Sequence, residues 1–318
     1  MKSWLICLAL LALSLPASAQ ERELHAGDGP GSIQLLMEDR KLKESEVAWR
    51  AWIERLATSA ASVAPGIADR PLIVRLQPAR RRDSITYGRI RRTRPPEIHL
   101  QVHPEASMEG LLEDWRGFHE FAHLLIPFPG NDDIWFSEGL ASYYQHFLQV
   151  RAGVIDPNEA WQRLFAGFRR GLRDPNGRDR TLSELSPEMW RERAFRRVYW
   201  TGAAYFLRVD LRLRTESAEG HSVDSALAAF NRCCADDQQG WDAIGLIEKF
   251  GELTDPDVWL EEYTRMINAP AIPEVEPAMS RLGVTWFDGG VRLSGDERDR
   301  QLRENIACGG DCASAIGQ

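Results

Sequence analysis

Apolar residues recur along this chain at helical spacing, then at strand spacing, and after residue 102 almost only at helical spacing. Residues 44–63 set Val47, Ile53, Leu56 and Ala60 on one side of a predicted helix. Ala64-Pro65-Gly66 ends it. Residues 72–76 (LIVRL) read as a strand before Pro78. Residues 84–90 and 97–102 read as two more, parted by the Arg-rich turn 91–94 and Pro95-Pro96. Helical periods follow at 107–126, stopped by Pro127 and Pro129, and at 135–152, 158–172, 197–214, 223–230, 242–250 and 257–267. Pro270, Pro273 and Pro277 mark a connector, 284–293 a hairpin around Asp288-Gly289-Gly290, and 297–306 a last helix. The pattern predicts an α+β fold. A polar, Gly-rich lead-in at 20–32 is expected to be mobile. A small mixed β-sheet subdomain with one helix spans 33–104, a mainly helical subdomain 105–285, and a C-terminal hairpin, helix and Cys-containing tail 286–318.

The first nineteen residues stand apart from this pattern. Lys2 precedes a short apolar run, and Ala17-Ser18-Ala19 offers a small-x-small cleavage site, so 1–19 reads as a secretory signal peptide cut near Ala19. The run is shorter than the roughly 20 residues a membrane span needs. The expectation is an exported protein, periplasmic or secreted, with no stable membrane anchor after cleavage.

Export changes the meaning of the cysteines. Cys7 leaves with the leader, and Cys233, Cys234, Cys308 and Cys312 remain, an even number suited to disulfides in an oxidising compartment. Neighbouring cysteines bridge each other with difficulty. The expected links run from Cys233 or Cys234 to the tail, or close a small Cys308–Cys312 loop. The composition, 43% hydrophobic and 27% charged, is that of a globular chain and excludes disordered and collagen-like classes. A net charge of −8 argues against a nucleic-acid partner, which usually meets a basic surface.

The chemistry is concentrated in residues 119–144. His119-Glu120-Phe121-Ala122-His123 is an H-E-x-x-H motif within a predicted helix. Residues four apart share a helix face, so two imidazoles can grip one metal ion while Glu120 stands beside it as a proton acceptor. A catalytic zinc takes three protein ligands and a water. Glu138, near the start of the next predicted helix and after a Pro/Gly/Asn/Asp loop, can fold back to be the third. His146, eight residues on from Glu138, is on a similar face and could stand behind the zinc ligands, but it reads more simply as a surface or packing residue. His99 and His103 are also four apart, on a strand-to-loop segment where that spacing makes no shared face.

H-E-F-A-H followed by W-F-S-E-G-L-A-S-Y-Y resembles the gluzincin metallopeptidases, most of all the glycyl-aminopeptidase and aminopeptidase-N-like families. The resemblance spans about residues 85–285. It implies a thermolysin-like zincin catalytic domain, one zinc ion held by His119, His123 and Glu138, and Glu120 as general base and acid. Val198-Tyr199-Trp200-Thr201-Gly202-Ala203 resembles the family's Y-x-x-G-A segment, which implies Tyr199 as the donor to the oxyanion. The spacer of 14 residues between His123 and Glu138 is shorter than the aminopeptidase-N-like norm. No G-A-M-E-N-type motif precedes the zinc motif; Ser84-Ile85-Thr86-Tyr87-Gly88 stands about there, as a substrate-facing edge strand. The expectation is therefore a minimal catalytic domain: a secreted zinc metallopeptidase acting on a peptide or protein substrate. The alternative is a zinc-binding, catalytically silent peptide-binding protein of the same fold. Glu120 favours the enzyme, because a structural zinc site has no use for it.

Overall fold

The computed structural model describes residues 21–26, 32–38, 42–81, 83–217, 219–235, 240–269, 275–287, 290–310 and 312. The leader and its cleavage site lie outside them, as do Pro270, Pro273 and the hairpin turn at 288–289.

Two strands, β1 (Glu21–Ala26) and β2 (Ile33–Glu38), open the fold. Helix α1 (Glu46–Ala61) follows, its first turn capped by Ser45, whose hydroxyl accepts from the Ala48 amide. Then come β3 (Leu72–Pro78), β4 (Ile85–Arg91) and β5 (Glu97–Val102). The five strands form one sheet in the order β1-β2-β3-β5-β4. β2, β3 and β5 run parallel, and β1 and β4 close the two edges antiparallel. The mixed sheet was expected; β1, within the polar lead-in, and β2 are strands that the sequence pattern did not announce. The polar ERELHA pattern of β1 carries little apolar signal, and its order comes from the backbone ladder to β2. Strand β5, inside the sheet, is buried along almost its whole length, whereas its neighbour β4 is buried only at Ile85 and then alternates toward solvent, as an edge strand does.

The rest is helical: α2 (Met108–Glu113), α3 (Trp115–Ala122), α4 (Ile134–Arg151), α5 (Pro157–Arg173), α6 (Leu182–Leu185), α7 (Met189–Glu192), α8 (Phe195–Glu216), α9 (Val223–Cys233), α10 (Ala243–Leu253), α11 (Pro256–Ile267) and α12 (Glu276–Arg281). The hairpin β6 (Val284–Phe287) and β7 (Gly290–Leu293) and helix α13 (Glu297–Cys308) complete the chain. None of the helices among the described residues is long and apolar enough to cross a membrane. Helix α4 runs through the middle, buried from Ile134 to Val150 but for Glu138, which is partly exposed.

The helix predicted over 107–126 is in fact three pieces. Asp114 ends α2 and caps α3: its carboxylate accepts from the Arg116 amide at 3.1 Å and, through the other oxygen, from the Ile85 amide at 3.0 Å. One side chain thus starts the helix that carries the H-E-x-x-H motif and ties it to edge strand β4. At the far end, His123–Leu125 tightens into a 3-10 turn. Its carbonyls are met by Arg92, which donates to His123 O at 2.9 Å and Ile126 O at 3.2 Å, and by Asn231, which donates to Leu125 O at 2.9 Å.

The cysteines correct the expectation in part. Cys308–Cys312 closes the small loop, as one of the expected options had it, but Cys233 bonds its neighbour Cys234 rather than the tail. The tail is held instead by arginines: Arg151 donates to Ile306 O at 3.2 Å, and Arg303 to Leu282 O at 2.7 Å.

Candidate metal centre

Helices α3 and α4 lie antiparallel, as the partners along α4 show: Ser137 meets His123 just past α3, Glu138 and Gln145 meet His119 on α3, and Gln149 meets Leu112 and Glu113 at the end of α2. The short 127–133 connection makes this possible, with Gly130 at φ 95°, a left-handed turn that glycine takes without strain. The expected fold-back of the second helix therefore occurs, and it brings the three sequence-predicted ligands together. His119 Nε2 is 3.2 Å from Glu138 Oε2, and His123 Nε2 is 3.8 Å from Glu138 Oε1. One ligand atom from each lies within 4.8 Å of the others, a spacing at which they can hold one metal ion.

The outer edge of each ring is already engaged. His119 Nδ1 donates to Gln145 Oε1 at 3.0 Å, and His123 Nδ1 lies 3.0 Å from Ser137 Oγ, a hydroxyl able to accept from it. A neutral ring with its proton on Nδ1 offers the Nε2 lone pair, the arrangement that metal-binding histidines need. Burial holds His123 down at about 3, so its ring is neutral, the ligating form. For His119, burial alone would act the same way, but the hydrogen bond and charge of Glu138 outweigh it and raise the ring. Glu138 itself is lowered, burial being overcome by the two histidines. The centre draws positive charge to the point where the three residues converge, and two neutral nitrogens with one carboxylate suit a zinc ion.

Glu120 sits beside this convergence, buried and pressed against β4. A methyl group built on Gly88 would lie 2.5 Å from Glu120 Cγ and 2.7 Å from its Oε1. Burial pushes the Glu120 carboxyl up to about 7, with Glu138 adding to the rise and His119 and Arg92 opposing it. Tyr199, from the first turns of α8, also reaches the centre. Its ring stacks 6.0 Å from His119 and its hydroxyl bonds the Glu138 carboxylate. Burial and then Glu138 raise the phenol, so it stays protonated and can only be a donor here.

All five sequence-predicted site residues thus meet in one place. His99 pairs with Glu97 at 2.8 Å within the sheet, and His103 Nδ1 accepts from the Glu105 amide, so neither joins the centre. Sequence reasoning missed Ser137, Gln145, Gly88 and Asp114. Gln145 was within reach, since it stands seven residues after Glu138, two helical turns along the same face. Gly88 was not, because nothing in the chain says that a side chain from another element leans on it.

That contact yields a prediction. Gly88→Ala is expected to leave folding and metal uptake intact, because the displaced atoms belong to one side chain. Glu120 must swing away, and misplacing a reacting group by about 1 Å can cost ~10²-fold in rate. Turnover measured beside metal content checks it; wild-type turnover in this variant would mean that Glu120 does not need its observed position.

Residues 129–204 match the model of the M61 glycyl aminopeptidase family, a stretch that includes Glu138 and Tyr199 and begins after the two histidines. No curated protein matches the chain. Among solved structures, the fold is similar to that of an aminopeptidase N family protein from Idiomarina loihiensis, with a TM-score of 0.61 and 15% identity, over 84% of this chain and 49% of that one. It is also similar to a two-domain M1 zinc metallopeptidase, a Glu-to-Ala mutant bound to L-arginine, with a TM-score of 0.52 and 14% identity, over 80% of this chain and 53% of that one. The chain spans about half the length of these structures. At such identities the likeness is one of fold, and it agrees with the gluzincin resemblance of the sequence.

Proposed function

We propose that this chain is a zinc metallopeptidase that hydrolyses peptide bonds in an exported compartment. The observation that carries the reading is the convergence of His119, His123 and Glu138 beside a buried acid, Glu120, and a protonated phenol, Tyr199. The two histidines and Glu138 would hold the ion. When bound, zinc would supply Lewis acidity, polarising the scissile carbonyl and bringing the pKa of a bound water near 7.

The remaining steps belong to the protein. Glu120 takes the proton from the attacking water and returns it to the leaving amine, and a carboxyl held near neutrality is suited to both halves of that exchange. Tyr199 donates its hydroxyl hydrogen to the developing oxyanion, giving up its bond to Glu138. The edge strand β4, beside Glu120, presents an open ladder against which an extended peptide can lie. The leader expected at 1–19 would deliver the enzyme across a membrane.

Zinc removal tests the ligand set. The wild type is expected to gain about 2.7 kcal/mol of unfolding free energy at a zinc concentration 100-fold above its dissociation constant. Glu138→Ala is expected to gain far less under the same conditions, because one of three ligands is gone. Metal analysis, denaturant unfolding with and without a chelator, and digestion of a mixed peptide library together decide the matter. Equal stabilisation of the two proteins by zinc would place the ion elsewhere. A zinc-loaded wild type that cuts no peptide would leave the ligand set standing and remove the peptidase reading. Where cutting occurs, the cleavage positions separate exopeptidase from endopeptidase.

A further inference from the structure

We infer that Gln145, His146 and Gln149 of α4 form a one-way hydrogen-bond chain that holds His119 in its metal-binding tautomer, with His146 as a positioning residue. The inference rests on the zinc reading of the centre, and its direction follows from groups that can only donate or only accept. Gln149 Nε2 lies 3.2 Å from Leu112 O and 3.0 Å from Glu113 O, and carbonyl oxygens can only accept. The NH2 of Gln149 therefore points at α2. Its oxygen faces the other way, 2.9 Å from His146 Nδ1 and 3.4 Å from Arg163 Nη1, which can only donate.

Because that oxygen cannot donate, His146 carries its proton on Nδ1. Burial holds the ring well down, to about 3, so it is neutral and its Nε2 is an acceptor. The atom 3.0 Å from that Nε2 is Gln145 Nε2, which donates to it. The Gln145 amide is thereby oriented, with Oε1 turned to His119 Nδ1 at 3.0 Å. His119 then bears its proton on Nδ1 and offers the Nε2 lone pair to the centre. Reversing Gln145 would place its NH2 on His119 Nδ1, force the ring proton to Nε2 and close the lone pair to metal. Gln145, His146 and Gln149 are 2%, 3% and 0% exposed, so no bulk water competes for these groups. A glutamate at 145 would need no such chain, since either carboxylate oxygen can accept from His119. The glutamine needs His146 and Gln149 to choose its orientation.

Two measurements test this. The first is the side-chain nitrogen spectrum of histidine-labelled protein at mildly alkaline pH, with His146 assigned by its loss in His146→Leu. A protonated Nδ1 and bare Nε2 on His146 are expected, and the reverse tautomer overturns the chain whatever the metal does. The second is zinc affinity, by competition with a chromophoric chelator, for wild type, His146→Leu and Gln149→Met, each alone and in a Gln145→Glu background. Each single change is expected to weaken zinc binding about tenfold or more, the usual scale for partners behind a ligand. In the Gln145→Glu background the same change should bring no loss, because a carboxylate needs no orienting and its second oxygen gains nothing from His146 Nε2, itself an acceptor. Equal losses in both backgrounds would make His146 a packing residue and overturn the inference, as would no loss in the single variants. If His146→Leu does not fold, Gln149→Met carries the same comparison. A wild type that takes up no zinc while His146 keeps its proton on Nδ1 would defeat the zinc reading and support the polarity of the chain.

Discussion

Glu120→Gln is expected to bind zinc as the wild type does and to cut peptides about 10²- to 10⁴-fold more slowly, the usual contribution of a positioned general base. The substitution is nearly isosteric. Glu120 touches Gly88 through its Cγ and Oε1, and an amide fills that space equally well. It also makes no ligand contact: the three atoms that converge come from His119, His123 and Glu138. Metal affinity and folding should therefore be unmoved, and the loss should fall on turnover. A carboxyl raised to about 7 by burial is costly to keep as an anion, so the variant is expected to gain stability at alkaline pH even as it loses activity. The sign follows from the shift: between its unfolded value near 4.5 and its folded value, the native state binds the proton more tightly, and above both the buried charge is a net cost. Turnover by the variant at the wild-type rate would remove Glu120 from the mechanism and with it the mechanism proposed above.

The parts of the centre differ in how plainly the chain announces them. His119, Glu120 and His123 are legible because a helix turns spacing into a shared face, and Glu138 because one short loop leaves it few places to go. The sheet was legible at β3, β4 and β5, where apolar runs are bounded by Pro and Gly. β1 and β2 were not: β1 is a polar edge strand ordered by backbone pairing to β2, and β2 is one six-residue run whose other partner, β3, lies beyond an intervening helix. The four-residue helices at 182–185 and 189–192 are too short to show a period. The break at Asp114 was hidden for a different reason. Its carboxylate serves both the Arg116 amide and the Ile85 amide, and the second of these is 29 residues away in sequence. His146 was read as packing for want of any signal that its two ring nitrogens are both engaged. What sequence reasoning misses here is almost all contact between elements, which periodicity along one element cannot report.

Gly139 and Gly202 are such a contact, and substituting Gly202 by alanine is expected to destabilise the fold by about 1–3 kcal/mol and to slow turnover at the same time. Helices α4 and α8 cross backbone to backbone at these two residues. A methyl on Gly139 would come 2.5 Å from the Gly202 Cα, and one on Gly202 would strike the Trp135 carbonyl oxygen and lie 2.7 Å from the Gly139 Cα. Backbone cannot rotate aside as a side chain can, so the helices must part. Alanine's better helix propensity returns up to about 1 kcal/mol, which is too little to offset the clash. The crossing lies one residue after Glu138 and three after Tyr199, so the distance it sets is the one across which that phenol reaches that carboxylate. Parting the helices therefore withdraws Tyr199 while His119, His123 and Glu138, all on α3, its 3-10 turn and α4, stay together. The expected outcome is zinc affinity near that of the wild type, turnover down by about 10²-fold, the scale of one lost oxyanion donor, and a lower denaturation midpoint. Tyr199→Phe separates the two effects, since it should match the loss of turnover without the loss of stability. If Gly202→Ala unfolds as late as the wild type, the close crossing is not needed to hold the helices. If it is destabilised yet turns over normally, the crossing does not set the place of Tyr199, and the family-like Y-x-x-G-A pattern at 199–203 owes its glycine to packing alone.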